Sequence, residues 1–179
     1  MALHYEQFLF RYSEASLAWF SPSCAERPGT FSTSVSRAFD FGVRIANRHV
    51  IAEDAFGTID LDDEWKAVFI DEAQFFGEGI LDFLMRCLDA GLPVFASALN
   101  GDFRASPMGH VSEMLSLATS VDFRSALCEF CPDIAHFTVL RDAAIASKCD
   151  QEASQVHVGD GEYVSVCWKC KRQWTKTDK

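Results

Sequence analysis

Two Cys-x-x-Cys pairs, "CEFC" (Cys128, Cys131) and "CWKC" (Cys167, Cys170), constrain this chain more than any other feature. Each pair turns tightly enough to aim two thiolates at one point. Two such knuckles complete a tetrahedral four-cysteine site of the kind zinc takes. Four thiolates leave no open coordination position, so a metal held there is structural. Zinc binding of this kind contributes roughly 10–16 kcal/mol of apparent folding free energy. The plainer alternatives are unrelated core cysteines or a redox pair. Cys24, Cys87 and Cys149 show no pairing pattern and read as ordinary thiols. A metal at its base turns 132–166 into a closed loop whose distal part has Gly159 and Gly161 flanking Asp160, then Tyr163. Such a loop can lay backbone N–H and C=O groups against a planar base.

The chain has 179 residues, 49% of them hydrophobic, and sixteen phenylalanines, enough to build one well-buried globular domain. Its formal net charge of −10 argues against a non-specific nucleic-acid or anionic-membrane surface. The first twenty residues lack a basic start and an unbroken apolar run, so neither a targeting segment nor a membrane helix is expected. The expected compartment is the cytosol, where seven cysteines favour metal over disulfides.

Residues 2–12 read as a short helix with Leu3, Phe8, Leu9 and Tyr12 on one side. "SLAWF" (16–20) reads as a strand stopped by Ser21-Pro22, followed by a Ser/Thr/Pro/Gly-rich loop. Residues 43–52 carry a weak β pattern, and "TIDLDDEW" reads as a polar connection. "AVFI" (67–70) is the continuous apolar run of a fully buried parallel strand. Residues 77–90 are expected to be helical, with Ile80, Leu84 and Leu88 and also Leu81 and Met85 at i+4, and Gly91 as the stop. "PVFASAL" (93–99) reads as a second buried strand, and a helix is expected near 109–118. Two strand–helix alternations with short links predict a parallel α/β sheet over 1–121. From there the pattern changes to short β segments bracketed by the cysteines, a small zinc-holding lobe over 122–179.

Asp71 and Glu72 follow the buried strand directly, at the edge where open α/β sheets bind ligands. In a phosphotransferase, such an Asp holds hydrated Mg2+ and such a Glu takes the proton of an attacking hydroxyl. The plain alternative is a solvated acidic turn. "DEAQ" also looks like a motif of helicase ATPases, so the dipeptide alone does not choose a function.

The combination does choose. "VFIDEAQFF", "ASALNGDFRASPMG", "CEFC" and "GDGEYVSVCWKC", in this order and spacing, resemble the zinc-containing thymidine kinases of the cellular and viral type, over roughly residues 16–170. The resemblance implies a parallel sheet like that of phosphate-loop kinases, with a zinc lobe. It implies transfer of the ATP γ-phosphate to the 5′-hydroxyl of thymidine or deoxyuridine. Glu72 matches the general base, and Asp71 matches the residue that supports magnesium. Phe75 and Phe103 match aromatics beside the nucleoside, though each has core as its bland alternative. Leu99 and Thr138 match residues lining the thymine pocket. Tyr163, with backbone groups near Val156, Val158 and Gly159, matches the lasso loop over the base. One Zn2+ per chain and a homotetramer are further implications.

Four departures qualify the resemblance. No Gly-x-x-x-x-Gly-Lys-Ser/Thr occurs in the 179 residues, and the first lysine is Lys66. "LHYEQFLFRYSEASLAWF" aligns with the end of the helix after the family's phosphate loop and with the next strand. The expectation is therefore a chain that starts after that loop, with its first strand missing and an edge of the sheet exposed. Ala25 stands where the family has a magnesium-linked Asp two residues before an Arg, here Arg27. Val139-Leu140 precede Arg141 where a basic residue is expected, and Met108 replaces a common aromatic. Without the phosphate loop, its Lys and its Ser/Thr, little neutralises a triphosphate, so phosphotransfer is expected to be strongly impaired. The alternative is a pseudokinase that binds nucleoside or other subunits. A helicase-like fragment is disfavoured by the short, acidic chain and its zinc lobe.

Overall fold

The computed structural model describes residues 2–9, 11–25, 48–141 and 163–174. They form two compact units, one of 1–99 with 109–116 and the other of 100–108 with 117–179.

The first unit is built on a four-stranded, all-parallel sheet of β1 (Leu17–Pro22), β2 (Arg48–Ile51), β3 (Ala67–Ile70) and β4 (Val94–Ala96), in the order β2-β1-β3-β4. Every residue of β3 is fully buried, as its unbroken apolar run requires of a strand covered on both faces. On one face Phe69 stacks between Trp19 at 5.7 Å and Phe95 at 5.1 Å. Phe8 and Leu9 of α1 (Ala2–Leu9) close over this cluster. On the other face Phe20 meets Phe56 and Phe83, so α2 (Gly79–Asp89) covers that side.

Four sequence expectations change in detail. β1 runs through Pro22 instead of stopping before Ser21, and Pro22 pairs with Ile51. On its other side β1 pairs with β3 only up to Phe20, so Pro22 sits at a local edge that tolerates a missing N–H. α1 ends at Leu9, and Tyr12 is 40% exposed. The buried stripe of α2 is Ile80, Phe83, Leu84 and Cys87, while Met85 and Leu88 face solvent. β4 is half-buried because it is the outer strand among the described residues, with a neighbour on one side only.

The helix stop does lie where Gly91 was expected. Gly91 adopts φ +66° while its N–H bonds Leu88 O and the Leu92 N–H bonds Cys87 O. This paired closure satisfies the last carbonyls of α2 and favours glycine at the left-handed position. The short α3 (Val111–Leu117) follows later in the chain.

The second unit holds two small antiparallel pairs. β5 (Ala126–Leu127) pairs with β6 (Ile134–Ala135), and β7 (Phe137–Leu140) pairs with β8 (Tyr163–Val166). β8 leads through Cys167 into α4 (Trp168–Trp174). No helix among the described residues is long and apolar enough to cross a membrane.

Candidate functional site

The carboxyl edge of the parallel sheet collects acids and hydroxyls because three strands end there side by side. Asp71 is fully buried, and its Oδ1 accepts a 2.7 Å hydrogen bond from Ser97 Oγ, just past β4. Ser21 continues the row Leu17, Trp19 on β1, opposite Ala67, Phe69 on β3, which places it beside Asp71. Its hydroxyl is buried without a hydrogen-bond partner among the described residues. Among the described residues this row offers oxygen donors, the donor chemistry of Mg2+.

Glu72, half-buried, adopts φ 51°, a left-handed conformation rarely held by a non-glycine residue. Two contacts stabilise the turn it starts. Gln74 Nε2 donates to Glu72 Oε2 at 2.6 Å, and Gln74 Oε1 accepts the Leu99 N–H at 3.1 Å. Gln74 is buried, whereas Leu99 is 53% exposed. Phe75 ends the short 3-10 turn Ala73–Phe75 and is half-buried, while Phe76 belongs to the core against Phe56.

Glu53, just past β2, joins this edge. Its Oε1 accepts the Ser23 hydroxyl at 3.0 Å and the Cys24 N–H at 2.8 Å. Its own backbone N–H and that of Cys24 hold the Glu53 carboxyl below its ordinary range. Burial, then Glu53, then Glu72 push the Cys24 thiol up to about 12. Sequence reasoning missed Ser21, Glu53, Gln74 and Ser97, because only the alignment of strand ends brings them to one edge. A cavity of about 900 Å3 beside Arg11, Tyr12, Trp65 and Lys66 lies at the opposite end of the strands and includes none of these residues.

In the second unit the β7–β8 pair has two faces, set by the two-residue alternation of strand side chains. Phe137, Val139, Val164 and Val166 point to the cysteine side and pack with Cys128 and Cys167. Leu140 and Tyr163 point to the other side and pack with Phe103, which is buried. Thr138 and its partner Ser165 share that second face, both half-buried. Phe103 sits in a turn shaped by Asp102, whose Oδ1 accepts the N–H groups of Arg104 and Ser106, each at 2.9 Å. The buried Lys171 of α4 donates to the Phe103 carbonyl at 2.7 Å. Burial lowers its ammonium pKa, and the Asp102 carboxylate opposes that shift.

The four cysteine sulfurs lie within 4.8 Å of one another, and Cys131 is 3.6 Å from both Cys167 and Cys170. A tetrahedron with Zn–S bonds of about 2.3 Å has S···S edges of about 3.8 Å, so the cluster fits zinc. Burial opposes charge on Cys128, but the N–H groups of Cys167 and Phe130 and two neighbouring thiols outweigh it, setting its pKa at about 6. Burial and the surrounding sulfurs push Cys170 up to about 12. A cation at the centre removes this conflict between four crowded thiols. Cys131 and Cys170 are half-buried and the other two buried.

The structure thus places Asp71 with Glu72, groups Phe103 and Tyr163 on the hairpin face that carries Thr138, and gathers the four cysteines. Val156, Val158 and Gly159 lie outside the described residues. Comparison with known proteins supplies the family. The family model for thymidine kinase matches residues 39–171. The chain belongs to the thymidine kinase family. A thymidine kinase of Mesomycoplasma hyopneumoniae is 37% identical over 109 residues, 60% of this chain and 55% of that protein. That of Fowlpox virus is 33% identical over 111 residues, 62% of this chain and 56% of the viral protein. That of Deinococcus radiodurans reaches 45% over 62 residues, 35% of this chain and 29% of that protein. The chain spans about half the length of the first two relatives. The family match begins at residue 39, so the expected correspondence over 16–38 lies outside it.

Proposed function

We propose that this thymidine kinase family chain binds thymidine or deoxyuridine, with Glu72 as general base toward the 5′-hydroxyl and Asp71 on the magnesium side. The observation that carries the reading is the Glu72 carboxylate, held in a left-handed turn at the carboxyl edge by Gln74. A carboxylate fixed there can take a hydroxyl proton without first reorganising. Magnesium, when bound, neutralises phosphate charge, and Asp71 with its hydroxyl neighbours is the oxygen set to support it. ATP is the phosphoryl donor in this reading.

Phe75, Leu99, Phe103, Thr138 and Tyr163 are the proposed nucleoside residues, joined on resemblance by Val156, Val158 and Gly159. The proposed division is a kinase core over 1–121 and a zinc lobe over 122–179. The four-cysteine cluster holds one structural zinc. Assembly as a homotetramer and a cytoplasmic location belong to the same family-based proposal.

The 179 residues contain no phosphate-loop pattern. A second reading is a chain that binds nucleoside without transferring phosphate. Titration calorimetry with thymidine, together with radiolabelled phosphate transfer from ATP, separates the two. Transfer that Glu72→Gln abolishes supports the kinase. Binding without transfer supports the second reading. A chain that binds neither thymidine nor deoxyuridine sinks both.

A further inference from the structure

We infer that Ser165 is a specificity-determining residue, whose hydroxyl joins that of Thr138 in hydrogen-bonding the polar edge of a pyrimidine nucleoside. The inference rests on the nucleoside reading of Thr138 and goes one residue beyond it. Thr138 and Ser165 are directly paired across β7 and β8, so their side chains leave the sheet on the same face. Directly opposed residues have Cβ atoms roughly 4.5–5.5 Å apart. A ligand group placed between the two side chains can therefore reach both hydroxyls.

Three observations separate this pair from an ordinary solvated one. Both residues are half-buried, next along the strands to Leu140 and Tyr163, which pack on Phe103. The opposite face of the same hairpin is apolar and packs against the cysteines, so the sheet keeps its polar side chains for one face only. Cross-strand Thr–Ser pairs commonly bond each other. Here neither hydroxyl makes a hydrogen bond among the described residues. A hydroxyl can donate or accept, so the pair suits an edge on which carbonyl oxygens flank an N–H. Thymine and uracil share that edge, and the discrimination is for the edge and not for the methyl group.

The test is titration calorimetry of the full chain with thymidine and with deoxyuridine, alongside thermal denaturation. Ser165→Ala is expected to weaken both nucleosides by about 3- to 10-fold and by the same factor, with an unchanged melting temperature. Combined with Thr138→Val, the two losses are expected to be non-additive, because both hydroxyls serve one ligand edge. Unchanged affinity in Ser165→Ala overturns the inference and leaves the nucleoside reading standing. An affinity loss that merely tracks a falling melting temperature also overturns it. A parent chain that binds neither nucleoside overturns the nucleoside reading and this inference together.

Discussion

Gln74 bridges two turns by using both ends of one side chain. Its Nε2 donates to Glu72 Oε2 at 2.6 Å and its Oε1 accepts the Leu99 N–H at 3.1 Å. Gln74 is buried, so truncation removes both bonds where water cannot readily replace them. Gln74→Ala is expected to cost about 1–3 kcal/mol of stability, read as a lower urea midpoint at unchanged m. Any phosphotransfer by the chain should fall with it, through kcat more than KM, because Glu72 loses its anchor.

Gly109 leaves no room for a side chain. It sits at φ +51°, and an added Cβ would meet Gln74 O at 2.2 Å. The obstacle is backbone, so it cannot rotate away. Gly109→Ala should therefore destabilise by about 3 kcal/mol or more. Gly57 has nothing within 4 Å of a built Cβ and a φ outside the left-handed region, so it supplies the near-neutral control. Paired urea titrations measure both.

Metal analysis of chain purified in reducing, chelator-free buffer should return about one zinc per chain. A strong chelator, or Cys170→Ala, should release it and collapse the second unit, whose valines pack directly on the cysteines. Near-UV circular dichroism reports the collapse. A metal content below about half an equivalent contradicts the site.

Cys24 is exposed yet should alkylate slowly. With its pKa raised from 9.0 to about 12, the thiolate fraction at pH 8 is about a thousandfold below that of an ordinary thiol. The sign is that of an acid held protonated, so reactivity should grow tenfold per pH unit up to about 12. Glu53→Gln should lower that pKa and speed the reaction. Mass spectrometry of iodoacetamide-treated protein reads the modified peptide.

Ser21 carries a buried hydroxyl without a partner among the described residues, so Ser21→Ala should leave stability equal or raise it by about 1 kcal/mol. A loss of more than about 1 kcal/mol in urea titration contradicts the orphan assignment.

Much of this was legible along the chain. The apolar run of β3, the Gly91 stop and the two cysteine knuckles are local patterns, and each lies where its spacing says. The buried face of α2 was only half legible: Ile80 and Leu84 are inside, but Met85 and Leu88 are not. Helical spacing leaves the choice of stripe to the neighbouring layer, here Phe20 and Phe56. β4 read as buried because apolarity does not say how many neighbours a strand has.

By itself the sequence determined the parallel α/β core, the acidic strand end and the four candidate metal ligands, since each rests on periodicity or spacing within a short window. The tertiary structure decided the left-handed backbone of Glu72, its grip by Gln74, and the Ser97 bond to Asp71. It also decided that one hairpin turns Val139 and Val164 toward the cysteines and Thr138 and Ser165 away. These depend on strand register and on contacts between distant residues, and a one-residue shift of register would reverse every face.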